Sequence, residues 1–162
     1  MEPLPLLLVD RMLGRLARWL RLLGADAAAW TGDDEDDLLP LLRGAPRLFL
    51  TRHRRRAARL AQHELAVVRL ETHDLRGQLR ELTARFHLPP AEARFTRCAH
   101  CNAPLRDAAP AEARAWVPPF VARTQTRFSR CPSCSRIFWR GTHPGRLERE
   151  LQRMLDGESL PS

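Results

Sequence analysis

The sequence contains no lysine: its 27 basic residues are all arginine, set against 19 acidic residues and six histidines. Arginine excess beside abundant Ala, Leu and Pro marks a compositional bias, so the arginines alone argue less for a nucleic-acid partner than their number suggests. The net charge of +8 and the isoelectric point near 11.1 still create a field that attracts polyanions. Nucleic acid comes first among them, then acidic proteins, then membrane surfaces. No stretch reaches the roughly 20 apolar residues of a membrane helix, which argues against a spanning segment. The first apolar run, Leu4–Val9, follows Glu2 rather than a basic start and runs into Asp10, so it does not read as a secretory signal. Internal repeats are missing too. Cysteine is scarce, with four in 162 residues. The expected location is the cytoplasm, where paired cysteines more often bind metal than form disulfides. The hydrophobic share of 44% and charged share of 28% are ordinary for a globular chain. The length suits one well-buried domain, or a domain of about 90 residues with a small appendage.

Along the chain, Leu6–Val9 is a short continuous apolar run that reads as a buried strand. Arg11–Leu23 reads as a helix, with Met12, Leu13, Leu16, Ala17, Leu20 and Leu23 as its apolar stripe and Gly24 as its stop. Arg11, Arg15, Arg18 and Arg21 recur on another face. Ala27–Trp30 is a second strand. The acidic run Asp33–Asp37 opens a helix to about Leu42, because negative charge favours the first turn. Pro40 is expected to shorten or kink that helix, since it removes a backbone donor. Arg47–Leu50 and Leu65–Leu70 read as further strands, and Arg54–Gln62 and Leu75–Phe86 as helices, with Asp74 an N-cap of the last. Strand and helix alternate with short connections, which predicts an α/β parallel sheet flanked by helices over residues 1–88. Leu88-Pro89-Pro90 breaks the pattern, and residues 89–94 read as a linker.

The remainder has another character. Cys98-Ala-His-Cys101 and Cys131-Pro-Ser-Cys134 are separated by 29 residues (102–130). Two such turns can bring four thiolates to one tetrahedral point, the arrangement of structural zinc. A redox role is disfavoured because two matched pairs point to a single closed site; four buried, unligated cysteines are the bland alternative. His100, inside the first pair, is expected to be exposed and not a ligand. Residues 95–144 therefore read as a small zinc-ribbon domain, and 145–162 as a C-terminal helix (Arg146–Leu155) and tail.

Ligands of a parallel sheet collect at the carboxyl ends of its strands. Asp10 ends the first strand, Asp33–Asp37 follow the second, Thr51–His53 end the third and Glu71–Asp74 the fourth. Clustered carboxylates can hold Mg²⁺ or Mn²⁺, and such ions position water and neutralise a phosphodiester. The alternatives are a solvated helix start for Asp33–Asp37 and an N-cap for Asp10.

The segment Leu8-Val-Asp-Arg-Met-Leu-Gly-Arg-Leu-Ala-Arg-Trp-Leu-Arg-Leu-Leu-Gly24 resembles the opening of the Mut-seven C-terminal RNase domain family, a PIN-like nuclease fold with an appended zinc ribbon. Leu48–Arg52 resembles its third strand. Phe95-Thr-Arg-Cys98, Val117-Pro-Pro-Phe120, Cys131-Pro-Ser-Cys134 and Phe138-Trp-Arg-Gly-Thr-His143 resemble its ribbon. The resemblance, about Leu6 to His143, implies a metal-dependent ribonuclease. Asp10 would be the first carboxylate for catalytic Mg or Mn, and the second would come from Asp34, Glu35 and Asp37. Where the family reads Leu-Thr-Arg-Asp, this chain has Leu50-Thr51-Arg52-His53, so an imidazole replaces a carboxylate of the expected site; Gln125 similarly stands where the family often has His. Arg15, Arg18 and the Arg52–Arg56 block would guide a phosphate backbone. Trp139, Arg140 and His143 are candidates for contacting single-stranded RNA. The competing readings are an RNA-binding or ribosome-associated module of the same fold with impaired catalysis, and an interaction protein using its basic helix faces.

Overall fold

The computed structural model describes residues 1–139 and 146–156. Its chain divides into two compact units, Met1–Asn102 and Ala103–Ser162. The first opens with a two-residue strand, β1 (Glu2–Pro3), followed by β2 (Leu7–Asp10), α1 (Gly14–Leu22), β3 (Ala27–Trp30) and α2 (Glu35–Gly44). Then come β4 (Leu48–Thr51), α3 (Arg54–Gln62), β5 (Val67–Arg69), α4 (Leu75–Thr83) and β6 (Phe86–His87). Strands β2 to β5 form one parallel sheet in the order β3-β2-β4-β5. The apolar runs seen in the sequence are its buried centre, since a parallel strand must be covered on both faces. Leu8 and Phe49 point to one face, where they join Trp30, Leu38 and Leu42 and are closed by Leu60 of α3. α1 packs on β2 and β3 and meets α4. It brings the fully buried Leu16 and Leu20, and α4 brings Leu79 and Leu82. Each such leucine contributes about 2 kcal/mol by leaving water.

The order reverses at β2, whose neighbours β3 and β4 both follow it in sequence. The chain leaves β2 towards α1 and leaves β4 towards α3, so the edge beyond Asp10 and Thr51 is the switch point at which ligands of such sheets collect.

Several boundaries differ from the sequence reading. Arg11–Leu13 form a 3₁₀ turn, α1 starts at Gly14, and Met12 is exposed while Trp19 is buried. Pro40 neither shortens nor interrupts α2, which continues to Gly44. Pro40 is on the exposed side, where water can take up the carbonyl it leaves unpaired. The helix expected over 75–86 stops at Thr83, because Phe86 and His87 pair in parallel with Glu2 and Pro3. Residues 89–94 carry a 3₁₀ turn at Ala91–Ala93, and the Phe95 amide donates to the Leu22 carbonyl at 2.9 Å. The division between units falls after Asn102.

In the second unit β7 (Arg106–Ala108), β8 (Phe128–Arg130) and β9 (Ile137–Trp139) form an antiparallel sheet. α5 (Pro110–Ala113) and α6 (Pro119–Thr124) each begin on a proline, whose fixed φ suits a first helical position. Ala108, Ala113, Val117 and Phe128 are the small core. α7 spans Arg146–Asp156. Arg106 and Arg130 stand directly opposite in the β7–β8 register, an arrangement that repels unless compensated. Glu112 compensates both, at 2.6 Å from Arg106 and 2.7 Å from Arg130. Its hydrogen bonds from Arg106 and then Arg130 pull the carboxyl down to about 2.

Two outcomes are expected. Gly24 has φ +90°, and a Cβ there would lie 2.2 Å from the Ala93 carbonyl oxygen, whereas a Cβ on Gly44 meets nothing within 4 Å. Thermal melts should show Gly24→Ala destabilised by more than about 1 kcal/mol, with Gly44→Ala neutral or slightly stabilised. Because the folded Glu112 pKa lies below its unfolded value, its contribution is complete above the ordinary carboxylate range. That contribution fades as pH falls towards 2. Denaturation of wild type and Glu112→Gln should accordingly differ at neutral pH and converge on strong acidification.

Candidate metal centre and acidic sheet edge

The two cysteine pairs fold into the same local turn. The Asn102 amide donates to the Cys98 carbonyl at 2.9 Å and the Ser135 amide to the Cys131 carbonyl at 3.0 Å. Asn102 and Ser135, each following the second cysteine of its pair, have φ of 71° and 61°. These turns place the Sγ atoms of Cys98, Cys101, Cys131 and Cys134 within 4.8 Å of one another. Four sulfurs around zinc stand about 3.8 Å apart at a bond length near 2.3 Å, so the donor set and spacing fit that ion. His100 is exposed and outside the cluster, as expected.

The first pair is held in part by an arginine that the sequence reading placed on another face. Arg21, expected on the basic face of the first helix, is only 5% exposed. Its Nη1 donates to the carbonyls of Ala99 and His100 at 3.2 and 2.7 Å, and its Nε to that of Ala27 at 2.7 Å. Burial lowers its pKa, with the nearby thiols of Cys101 and Cys98 acting in the opposite sense. Asn102 accepts from the Ala27 amide at 3.0 Å and donates to Asp26 at 2.9 Å. Burial works to raise the Asp26 carboxyl, but hydrogen bonds from Arg47 and Asn102 and the charges of Arg47 and Arg97 outweigh it, and the net shift is downward.

At the carboxyl edge of the sheet, Asp10 is 1% exposed. It does not cap the turn that follows it. Its Oδ2 instead accepts from the Thr51 hydroxyl at 2.6 Å and from Arg56 Nη1 at 2.7 Å. The Arg56 Nε lies 3.2 Å from Glu35 Oε1. That nitrogen is buried and poorly aligned, and it makes no hydrogen bond. The Arg56 guanidinium also stacks over Trp30, 4.7 Å from the ring centroid. Arg59 pairs with Glu35 at 3.3 Å and with Asp36 at 2.5 Å. Asp10 and Glu35 are thus brought together through one arginine.

The other candidates lie around this pair. Asp34 caps α2 by accepting from the Asp36 amide at 2.8 Å, and Asp37 is exposed on the first turn. His53 is exposed and caps α3, its Nδ1 accepting from the Arg56 amide at 3.2 Å, so that nitrogen is committed to the backbone. Arg52 approaches both ring nitrogens of His73, at 2.6 and 2.9 Å. Arg15 and Arg18 are exposed on α1. Trp139, 39% exposed, is opposite Phe128 and so shares the face of its sheet that carries the small core. Arg140 and His143 lie outside the described residues. Gln125 ends α6, its amide bonded to the Val121 carbonyl. Beyond β5, Glu81 accepts from the amides of Glu71 and Thr72, and Asp74 caps α4 as expected.

Sequence reasoning grouped Arg56 with the Arg52–Arg56 block as a guide for phosphate and did not foresee that it and Thr51 are the partners of Asp10. Asp10 and Glu35 are hard oxygen donors that suit Mg²⁺ or Mn²⁺. The guanidinium between them shows that the slot favours positive charge. Among the described residues, only the four cysteines form a group of three or more side chains able to hold a metal.

A parallel α/β sheet with a buried carboxylate at its switch point, together with a four-cysteine cluster, places the chain among α/β proteins whose ligands collect at the carboxyl edge of the sheet. The assignment becomes specific by comparison. The Mut7-C RNAse domain family matches residues 5–151, most of the chain, and the protein belongs to that family. No curated protein and no solved structure shows a significant match. Among the described residues, no helix is long and apolar enough to cross a membrane.

Elemental analysis of purified protein should find about one zinc per chain. Cys131→Ser should lose most of it, and a chelator that strips wild-type zinc should lower the melting temperature.

Proposed function

We propose that the protein is a metal-dependent ribonuclease that hydrolyses RNA phosphodiester bonds at the carboxyl edge of its parallel sheet, with a structural zinc ribbon. The observation that carries this reading is the convergence of Asp10 and Glu35 beside Thr51, at the edge where parallel sheets bind ligands. Asp10 and Glu35 would hold Mg or Mn, and such an ion supplies an activated water and neutralises charge developing on the phosphate. Thr51 fixes the carboxylate of Asp10 through its hydroxyl. Arg15 and Arg18, exposed on α1, and Arg52 guide the RNA backbone electrostatically. Asp34 and Asp37 add negative charge at the same edge. Trp139, Arg140 and His143 are assigned to single-stranded RNA, bases stacking on the indole. We place the protein in the cytoplasm, where paired cysteines more often bind metal than form disulfides.

The second reading is an RNA-binding or ribosome-associated module that has lost catalysis. It is favoured by His53, which caps a helix where the resemblance calls for a carboxylate.

Purified protein would be assayed on single-stranded RNA with Mn²⁺ or Mg²⁺. Asp10→Asn should lower the cleavage rate by about 100-fold or more, in the range of lost transition-state charge stabilisation. Cleavage that persists in Asp10→Asn would sink the catalytic assignment. RNA retention with a steep salt dependence and no cleavage under either metal would establish the binding module instead.

A further inference from the structure

We infer that the slot between Asp10 and Glu35 is a one-cation site for which the Arg56 guanidinium and a divalent ion compete, so that Arg56 sets the metal affinity of the protein. This rests on the nuclease reading above and assigns a regulation to the same site.

The argument is one of charge and of lone pairs. Asp10 and Glu35 bring two negative charges to the slot and exposed Asp36 adds a third at its rim, and Arg56 and Arg59 are the cations paired with them. A divalent ion added to that closed group would meet Arg56 as a like charge at contact distance, in a setting where Asp10 has almost no access to screening water. Asp10 Oδ2 already accepts two short hydrogen bonds, from Thr51 at 2.6 Å and Arg56 at 2.7 Å. An ion can take that oxygen only if Arg56 releases it. Thr51 does not compete, because a neutral hydroxyl can stay bonded to a metal-bound carboxylate.

Arg56 is held, but incompletely. Its Nη1 bond to Asp10 and its stacking on Trp30 keep it in the slot. Its Nε is buried 3.2 Å from Glu35 Oε1, an ion pair without the alignment of a hydrogen bond, so this side of the guanidinium is held more weakly than the side on Asp10. The side chain leaves the first turn of α3, beside the exposed Arg54 and Arg55. A released guanidinium therefore reaches the same edge as these two, where a substrate phosphate can pair with it.

The test measures binding rather than turnover. Zinc-loaded protein is titrated with Mn²⁺, and free ion is read by electron paramagnetic resonance. Arg56→Gln should bind one Mn²⁺ at least 10-fold more tightly than wild type. Arg56→Lys, which keeps the charge but cannot bridge both carboxylates, should fall between them. The double variant Asp10→Asn/Arg56→Gln should lose the site. Should Arg56→Gln fold poorly, wild type gives the answer by itself. Saturating Mg²⁺ should move the Arg56 Nε–H resonance and speed its exchange with water.

If Arg56→Gln binds Mn²⁺ no better than wild type, or the Nε–H is indifferent to Mg²⁺ bound at Asp10, the competition is wrong. The nuclease reading survives that result when wild-type Mn²⁺ binding is present and lost in Asp10→Asn. If no variant binds Mn²⁺ at all, both ideas fall together.

Discussion

A carboxylate with almost no access to water has to be compensated from within, and Asp10 is such a group at the end of the central strand of the sheet. Removing one partner of a buried ion pair typically costs about 3–5 kcal/mol, far more than any surface pair. The elements around Asp10 can be understood from that requirement. β4 delivers the Thr51 hydroxyl, α3 delivers Arg56, and α2 delivers Glu35, which takes the other side of the same guanidinium. Three connections of the parallel sheet therefore depend on one another through a single charged group. Trp30, at the end of the neighbouring strand, adds its ring face to the cation and its body to the apolar core below.

The cysteine cluster follows a different logic. Metal binding at a closed thiolate site is folding free energy, on the order of 10–16 kcal/mol in small zinc peptides. Such a site still needs its ligand turns held before the ion arrives. Arg21 and Asn102 do this for the first pair by fastening its carbonyls and its final residue to the start of β3. The second pair relies on its own strand connection, with the Cys131 amide donating to the Arg136 carbonyl and the Cys134 amide directed at the Cys131 sulfur.

The sheet was legible because its strands are local signals: Ala27–Trp30 matches its reading, and the central strands shift by a single residue. The cysteine pairs were legible from spacing alone. Arg21 was not, although it belongs to a regular series with Arg15 and Arg18. At about 100° per residue, Arg21 lies roughly 120° round the helix from Arg15, which turns it from solvent towards the buried side. Arg56 was hidden for another reason, since nothing local distinguishes it from Arg54 and Arg55; only the approach of α2 and β2 selects it. The β6 strand was missed because two residues carry no periodicity, and its partner is at the opposite end of the unit. His53 was read as an imidazole standing where the resemblance calls for a carboxylate, and the structure adds that its Nδ1 accepts from the Arg56 amide of the helix it begins.

The pairing of Glu2 and Pro3 with Phe86 and His87 also bears on the order in which the chain can fold. In a parallel sheet no strand meets its neighbour through a tight hairpin, so every pairing closes a loop containing a helix. Here the first strand of the unit pairs with its last. Loops of that length form late and slow the approach to the native topology. Glu2 and Pro3 thus close the widest sequence separation of any strand pairing in the unit.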